Sequence, residues 1–264
     1  MEKIFCVVGR DARQLAAAAA LRREGYTVLG AEGAGRADYI LLPMPLEAEA
    51  ADLARILRAA RPGTLALGGR VSEPVRQAAQ AAGVELVDYF LRPELACLNA
   101  VPTAEGCLAL LMQLRNRTVW ESDFLILGYG RIGRAVARRL TLLGGRVTVA
   151  ARSAEQRACA RSAGCRAAGL SALRQVLPGF DAVVNTIPAP VLGQAELSCL
   201  PEGALIIDLA SRPGGTDFAA ARALGLHAEH ALSLPARCAP ETAGELVAHT
   251  VLTILQEREG RTAS

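Results

Sequence analysis

The chain has few of the residues that mark several classes of protein. Among its 264 residues, aromatic residues make up 4% and Lys3 is the only lysine. A net charge of +3 and so few rings provide little material for nucleic-acid binding, which relies on basic patches and base stacking. Seven cysteines occur without a C-x-x-C pair, and the three histidines lie elsewhere, so we expect neither a disulfide framework nor a zinc site.

The sequence also lacks a long apolar run. Hydrophobic residues make up 52% of the chain, but no uninterrupted stretch reaches the length that a bilayer requires. The apolar stretch that begins at Ile4 is short and leads into a turn, unlike a signal peptide. We therefore expect a soluble, cytoplasmic protein, long enough for two domains or one large one.

What the chain does contain is a nucleotide-binding pattern between residues 123 and 152. A short apolar run precedes three glycines in the G-x-G-x-x-G spacing, a helical pattern follows, and a second strand is predicted over 146–151. In this context the motif indicates dinucleotide binding, with a purely structural glycine turn as the alternative. The candidate cofactor-binding residues are Gly128, Tyr129, Gly130, Arg131, Ile132 and Gly133.

The end of the second strand carries no acid. An NAD site usually has Asp or Glu there for the ribose 2′-hydroxyl, whereas this strand runs into Arg152 and Ser153. A guanidinium and a hydroxyl suit a 2′-phosphate, which offers charge and several acceptor oxygens. The cofactor is therefore predicted to be NADP, with NAD less favoured. A solvated arginine at a strand end is the alternative interpretation.

The rest of the chain alternates strands and helices, which predicts an α/β fold of two doubly wound parallel-sheet (Rossmann-like) domains joined by a long helix. Residues 1–118 form the predicted substrate-side domain with the connecting helix. Residues 119–264 form the predicted NADP-binding domain, whose last helix, 241–257, packs back on the first domain. The residues from 260 onward are expected to fray. We expect residues 88–98 to be irregular and Thr103 to cap the connecting helix, which ends near Val119.

Three strand ends carry polar residues. The first strand is followed by Asp11, Arg13 and Gln14, either a helix cap with solvated arginines or a carboxylate-binding corner. A predicted strand from residue 181 ends in Asn185, Thr186 and Ile187, near the nicotinamide end of a cofactor in this fold. The strand after it ends in a segment with more anion-binding groups than a structural turn needs. Its candidates are Asp208, Ser211 and Arg212.

These motifs together resemble one family. The matching segments are Gly9–Leu15, Pro102–Gly106, Gly128–Gly133, Asn185–Pro188, Asp208–Phe218 and Ala239–Gly244. In this order they are similar to the A subunits of dipicolinate synthase, and the likeness runs nearly end to end. The resemblance implies oxidation of dihydrodipicolinate or 4-hydroxytetrahydrodipicolinate to dipicolinate, in the mother cell of a sporulating bacterium. It also implies a partner, the flavoprotein-like B subunit, in a homo- or hetero-oligomer.

The resemblance suggests roles for individual residues. NADP on the glycine turn would accept the hydride, and Arg13 and Arg212, on strand edges of opposite domains, would each bind a substrate carboxylate. Thr103, Asn185 and Ser211 would supply further hydrogen-bond donors. Glu105, and after it Asp208, are the candidate general bases.

Two other functions stay open. One is another NADP dehydrogenase of shikimate or hydroxyacid type, although neither a hydroxyacid-type Arg, Glu and His order nor a shikimate-type lysine is visible. The other is a non-catalytic protein that senses nucleotides, which would need no pair of carboxylate-binding arginines.

Overall fold

The computed structural model describes residues 3–43 and 50–262. The chain divides into two compact units: Met1–Asn99 with Ala239–Ser264, and Ala100–Cys238. This differs from the predicted boundary after residue 118. The C-terminal segment belongs to the first unit because its helix packs along the first helix of the chain.

Each unit contains one sheet, and both sheets are parallel throughout their described strands. The strands are β1 (Ile4–Val7), β2 (Thr27–Leu29), β3 (Tyr39–Leu41), β4 (Leu65–Gly68), β5 (Glu85–Asp88), β6 (Asp123–Leu127), β7 (Arg146–Ala151), β8 (Arg166–Gly169), β9 (Ala182–Asn185), β10 (Leu205–Asp208) and β11 (His227–His230). Their orders are β2-β1-β3-β4-β5 and β11-β10-β9-β6-β7-β8. The second order places β6, the strand before the glycine turn, at the switch point, as in Rossmann folds. The predicted fold class is confirmed.

Helices cover both faces of these sheets and supply the apolar side chains of the cores. The helices are α1 (Ala12–Arg23), α2 (Ala50–Ala59), α3 (Glu73–Ala81), α4 (Pro93–Leu114), α5 (Arg131–Leu142), α6 (Ala154–Ser162), α7 (Leu173–Val176), α8 (Gln194–Leu197), α9 (Phe218–Ala223), α10 (Leu234–Cys238) and α11 (Pro240–Thr262). Short 3₁₀ helices lie at Ala31–Arg36, Tyr89–Leu91, Leu170–Ala172 and Leu177–Gly179.

Helix α4 corrects two predictions. It begins at Pro93, within the stretch that we expected to be irregular, and ends at Leu114 instead of near Val119. Proline suits the first position of a helix because its missing N–H would have no intrahelical partner there. Pro102 lies inside the helix, so Thr103 does not cap its start. An interior proline disfavours a helix, but the buried face formed by Ala104 and its neighbours opposes that cost.

The same helix is long and apolar enough, by length and composition alone, to cross a membrane, where the sequence predicted no such segment. Its mean hydropathy over the best window is 1.5. A core helix gives the same signature, and Ala104, Cys107 and Leu111 are buried in the apolar core of the second unit.

The C-terminal end also differs from the prediction. Helix α11 continues to Thr262, so residues 260–262, which were expected to fray, are part of the helix. The sequence pattern predicts a loop from the end of the last strand to Ala239, whereas helix α10 lies in that segment. The sequence pattern also predicts a second helix that begins at Glu47, and that start lies outside the described residues. In the first unit, α11 approaches α1 so closely that a Cβ at Gly244 would lie 2.1 Å from the Arg13 carbonyl oxygen.

Candidate functional site

The glycine turn connects the end of β6 to the start of α5 at the carboxyl edge of the second sheet. Gly128 has a φ of +90°, a conformation that side-chain-bearing residues rarely adopt. A Cβ at Gly133 would lie 2.3 Å from the Gly128 carbonyl oxygen, so α5 can pack against the turn only with glycine there. Gly130, in contrast, has no atom within 4 Å of an added Cβ. The turn therefore has an open face at Gly130, where a pyrophosphate can approach the backbone.

The start of α5 is suited to an anion. Gly130 is the N-cap residue and supplies no side-chain hydrogen bond, so the first N–H groups of the helix are not capped by it. The partial positive charge of a helix N-terminus favours phosphate. Arg131 is exposed in the first turn and adds a positive charge. These residues fit a dinucleotide.

Two predicted cofactor-binding side chains point elsewhere. Tyr129 is 5% exposed and belongs to the apolar core, where burial raises the pKa of its hydroxyl. Ile132 packs against the same core. These two residues can therefore contribute only backbone groups to a nucleotide site. Arg134, which was not among the predicted residues, donates from Nε to the Tyr129 carbonyl oxygen at 3.1 Å and holds the turn from outside.

The end of β7 places a guanidinium next to the start of α6. Arg152 is exposed, and among the described residues its side chain forms no hydrogen bond or ion pair. Ser153 is the N-cap of α6, and its Oγ accepts from the Gln156 N–H. Arg157 donates to the carbonyl oxygens of Ala151 and Arg152 at 2.9 and 2.7 Å, which fixes the backbone that carries Arg152. Arg157 was not predicted as a site residue, although its position one turn into the helix was visible.

The segment after β9 contacts the glycine turn. Thr186 donates from Oγ1 to the Leu127 carbonyl oxygen at 2.8 Å. A Cβ at Gly128 would lie 2.6 Å from Thr186 Oγ1 and 2.9 Å from Ile187 Cγ1. Both residues therefore lie over the turn, which brings three of the predicted cofactor-binding positions together.

Asn185 does not have the predicted ligand-binding role. It is completely buried, and its amide donates to Asp208 Oδ1 at 2.9 Å and to the Ile187 carbonyl oxygen at 3.1 Å. Its Oδ1 accepts from the Ile187 N–H at 3.0 Å. With these contacts made inside the protein, the side chain organises the loop after β9 and does not reach a cofactor or a substrate.

Asp208, a candidate general base, is also completely buried. Its carboxylate accepts from Asn185 Nδ2 and the Ala210 N–H at 2.9 Å, and from the Gly215 N–H and Thr216 Oγ1 at 2.8 Å. The amide of Asn185, the two backbone N–H groups and the Thr216 hydroxyl thus all donate to the side chain of Asp208. The geometry supports a structural role for Asp208 in the loop 209–216 instead of the predicted exchange of protons with a ligand.

That loop presents Ser211 and Arg212, both exposed. Neither side chain forms a hydrogen bond or ion pair within residues 3–43 and 50–262. The loop is held from below by Asp208 and from one side by His230, whose Nε2 lies 2.9 Å from the Ala210 carbonyl oxygen. A Cβ at Gly215 would lie 2.7 Å from the Ile187 carbonyl oxygen. Residues 186–187 thus contact both the glycine turn and the loop that carries Arg212.

Glu105, the other candidate base, lies beside α5. It accepts from Arg139 Nη2 at 3.0 Å, and the same guanidinium donates to the Ala135 carbonyl oxygen. Those contacts place Glu105 at the middle of α5, whereas the glycine turn is at its N-terminus. Thr103 is half-buried inside α4. The structure therefore does not join Glu105 or Thr103 to the turn as the resemblance implied.

In the first unit, Asp11 is the N-cap of α1 and accepts from the N–H groups of Arg13 and Gln14. The helix-cap interpretation of Asp11 is confirmed. Its second oxygen lies 3.1 Å from Arg13 Nη2, and the Arg13 side chain is 17% exposed. This corner is at the carboxyl edge of the first sheet, where open α/β sheets bind ligands. No group of three His, Cys, Asp or Glu side chains suited to a metal ion occurs among the described residues.

Comparisons with known proteins agree with this geometry. Residues 109–220 match the NAD-binding domain of D-isomer specific 2-hydroxyacid dehydrogenases. Over 173 residues the chain is 39% identical to the dipicolinate synthase A subunit of Bacillus subtilis, a match that covers 66% of this chain and 58% of that protein.

Solved structures extend the likeness beyond that segment. The crystal structure of the dipicolinate synthase A subunit from Bacillus halodurans has a TM-score of 0.85 at 28% identity, over 96% of this chain and 97% of that one. The corresponding chain of the Bacillus subtilis enzyme has the same TM-score at 29% identity, over 99% and 98%. The chain is thus a relative of the dipicolinate synthase A subunits with a dehydrogenase-type, nicotinamide-nucleotide-binding domain, and the resemblance read from its motifs is confirmed.

Proposed function

We propose that the chain is an NADP-dependent oxidoreductase that converts dihydrodipicolinate, formed directly or from 4-hydroxytetrahydrodipicolinate, to dipicolinate. The observation that carries this proposal is the contact of residues 186–187 with both the glycine turn and the Arg212 loop. A nucleotide-binding turn and an exposed arginine therefore share one edge of one sheet. That arrangement suits a substrate that is anionic and is oxidised beside the nucleotide.

The reaction balances as loss of one hydride and one proton from the dihydro ring, which leaves the aromatic pyridine. NADP, with its pyrophosphate held at the glycine turn, would supply the hydride acceptor. Arg212 is proposed to bind a substrate carboxylate by bidentate hydrogen bonds, with Ser211 as a further donor. Arg13 is proposed as a carboxylate-binding group in the first unit. Because aromatisation drives the reaction, and because Glu105 and Asp208 are engaged elsewhere, water is the proposed proton acceptor.

NADP is proposed over NAD because of the end of β7. Arg152 carries the positive charge, Ser153 carries a hydroxyl that can donate, and the N-terminus of α6 adds its partial positive charge. A recess of about 370 Å³ lies among residues that follow β8 and β9, and we assign it to the adenine ring. Its lining residues are Leu170, Ser171, Leu173, Arg174, Val191 and Glu196.

The partner subunit and the cellular location are proposed from the relatives alone. Because these relatives are the A component of a synthase, further components are implied, and we propose a complex with the flavoprotein-like B subunit in the cytoplasm of a sporulating mother cell. A second candidate function is a D-2-hydroxyacid-type dehydrogenase, which the match of residues 109–220 favours. A nucleotide-sensing protein without turnover is the remaining alternative.

The test is absorbance at the reduced-nicotinamide band, with purified chain, freshly generated dihydrodipicolinate and NADP or NAD, with and without the B subunit. We expect NADP reduction in step with dipicolinate formation. Arg212→Ala should lower kcat/KM by about 10²-fold or more if its ionic hydrogen bonds are lost from a desolvated complex. Arg222→Ala, an exposed arginine on α9, is the matched control and should have no effect.

A separate variant tests the proposed preference for NADP over NAD. Arg152→Ala should raise the Kd for NADP about tenfold or more and leave the Kd for NAD unchanged, because only NADP carries the 2′-phosphate. Arg161→Ala, near the far end of α6, is the control. Reduction of a 2-oxo acid with no action on dihydrodipicolinate would favour the hydroxyacid dehydrogenase. Nucleotide binding with no turnover in any combination would favour the sensor.

A further inference from the structure

A small recess in the first unit contains polar atoms that the predicted site does not use. It lies at the carboxyl edge of the first sheet, beside the first turn of α1 and the residue that follows β5. It has room for a group about the size of one water molecule. Its lining residues are Asp11, Arg13, Gln14, Ala17, Tyr89 and Val247.

Two of these residues bury a polar atom without a partner. Gln14 is 4% exposed, and its Nε2 donates to the Leu42 carbonyl oxygen at 2.9 Å. That contact fixes the amide orientation, because only the NH₂ group can face a carbonyl, and Oε1 is left unpaired among the described residues. Tyr89 is completely buried, and its hydroxyl is unpaired within the same described part of the chain. A buried polar atom without a partner destabilises a fold, and a group that forms a hydrogen bond with it removes that cost.

The two atoms have opposite hydrogen-bonding roles. Burial raises the pKa of the Tyr89 hydroxyl, so the residue keeps its proton and can donate. Gln14 Oε1 can only accept. A single hydroxyl satisfies both, because its oxygen accepts from Tyr89 while its proton is donated to Gln14. A carboxylate oxygen would satisfy Tyr89 and leave Gln14 Oε1 without a donor.

The charged groups at this recess indicate what carries the hydroxyl. Arg13 lines the recess, and its guanidinium acts electrostatically on Tyr89. Asp11 also lines it and holds Arg13 Nη2 at 3.1 Å, which orients the guanidinium. A positive group beside a hydroxyl-sized recess fits a ligand whose hydroxyl and carboxylate are on ring atoms two bonds apart.

We propose that this recess binds the hydroxyl of a hydroxylated cyclic dicarboxylate, with Gln14 as acceptor, Tyr89 as donor and Arg13 at the neighbouring carboxylate. The inference rests on the proposed function for the identity of the ring. It assigns the hydroxylation state in which the ring first binds: the chain binds the 4-hydroxytetrahydro compound in preference to the dehydrated ring, and loss of one water from the bound compound gives the dihydrodipicolinate that is then oxidised.

Two stable ring acids that differ by one hydroxyl test this assignment. Calorimetric titration of the full chain would give the Kd of piperidine-2,6-dicarboxylate and of its 4-hydroxy derivative. We expect the hydroxylated acid to bind about tenfold more tightly, as two hydrogen bonds are made to otherwise unpaired atoms. Tyr89→Phe, which removes only the hydroxyl and one of the two hydrogen bonds, should lower that preference to about threefold and leave the Kd of the unhydroxylated acid unchanged.

Controls separate this inference from the proposed function. Tyr39→Phe removes a half-buried hydroxyl elsewhere in the same unit and should keep the preference. Gln14→Met removes the accepting oxygen and is a second variant that should reduce the preference for the hydroxylated acid. Equal binding of the two acids by the wild-type chain, or a preference that Tyr89→Phe does not reduce, would mean that the recess holds only a structural water, and would overturn the assignment. NADP reduction with dihydrodipicolinate, measured on the same proteins, reports the proposed function independently.

Discussion

Replacing Asp208 with Asn distinguishes a structural carboxylate from a catalytic base. In the variant one of the two side-chain oxygens becomes an NH₂ group, and all four neighbours of Asp208 are donors. If the NH₂ group takes the Oδ1 position, it opposes both Asn185 Nδ2 and the Ala210 N–H. If it takes the Oδ2 position, it opposes only the Gly215 N–H, since the Thr216 hydroxyl can rotate to accept. The second orientation is therefore the one that the variant adopts.

The free energy of unfolding should fall by about 2–4 kcal/mol. One buried N–H, at Gly215, is left unsatisfied, which costs about 1–3 kcal/mol. The remaining hydrogen bonds change from ionic to neutral acceptors, and each loses about 1 kcal/mol. Burial of a neutral side chain instead of a charge offsets part of this loss. For a unit of this size, each kcal/mol corresponds to about 2–4 °C, so the Tm should fall by about 5–15 °C.

Thermal unfolding followed by circular dichroism, together with the pH profile of kcat/KM, checks this prediction. Asp217→Asn is the control: it makes the same chemical change nearby, at the N-cap of α9, where Asn caps as well as Asp does. We expect kcat/KM to fall because the Arg212 loop loosens, while the pH profile keeps its shape. An Asp208→Asn variant as stable as the wild type, with kcat lost and the profile altered, would contradict a structural role and restore Asp208 as the base.

Three further predictions concern the same unit. Gly133→Ala should disrupt the glycine turn and destabilise the unit, because its Cβ would lie 2.3 Å from the Gly128 carbonyl oxygen. Gly130→Ala should leave the Tm unchanged and weaken nucleotide binding about tenfold or more, as its methyl group enters the open face of the turn. In Asp123, hydrogen bonds from Arg146 and then Arg166 hold the carboxyl pKa below its ordinary 3.8. The ionised carboxyl therefore contributes about 0.5–1 kcal/mol to the free energy of unfolding above pH 3.8, and this contribution is lost as the pH falls further. In urea titrations, the free energy of unfolding of Asp123→Asn should depend less on pH in the acid range than that of the wild type.

The strand, glycine and helix pattern around residues 123–152 could be predicted because each part depends on local chemistry. The glycine spacing follows from the backbone geometry of the turn, and the strands follow from short apolar runs. The bounds of helix α4 could not be predicted in this way, because a proline in a sequence ordinarily marks a helix boundary. Pro102 instead lies in a helix whose buried face is defined by contacts with distant strands.

The roles of Asn185 and Glu105 could not be predicted for a related reason. A polar residue at a strand end can face a ligand or a neighbouring loop, and the choice depends on which donors the fold brings near. Asn185 lies opposite Asp208 in the pairing of β9 with β10, a register that no local pattern reveals. Glu105 is paired with Arg139, which lies on a different helix of the unit. Gln14 and Tyr89 likewise line the same recess only because β1 and β5 belong to one sheet.

The structure explains why the segment 208–217 contains so many distinctive residues. Asp208 and Thr216 make hydrogen bonds within the loop, and Gly215 fits where a Cβ would lie 2.5 Å from Asn185 Nδ2. These residues fix the backbone and are buried, whereas Ser211 and Arg212 are exposed. Most of the motif is therefore a scaffold for two exposed side chains, which are the proposed substrate-binding groups. Because a buried carboxylate and an amide hold the backbone of this loop, little backbone freedom would be lost when a ligand binds Arg212, which suits the proposed recognition of a substrate by its charge.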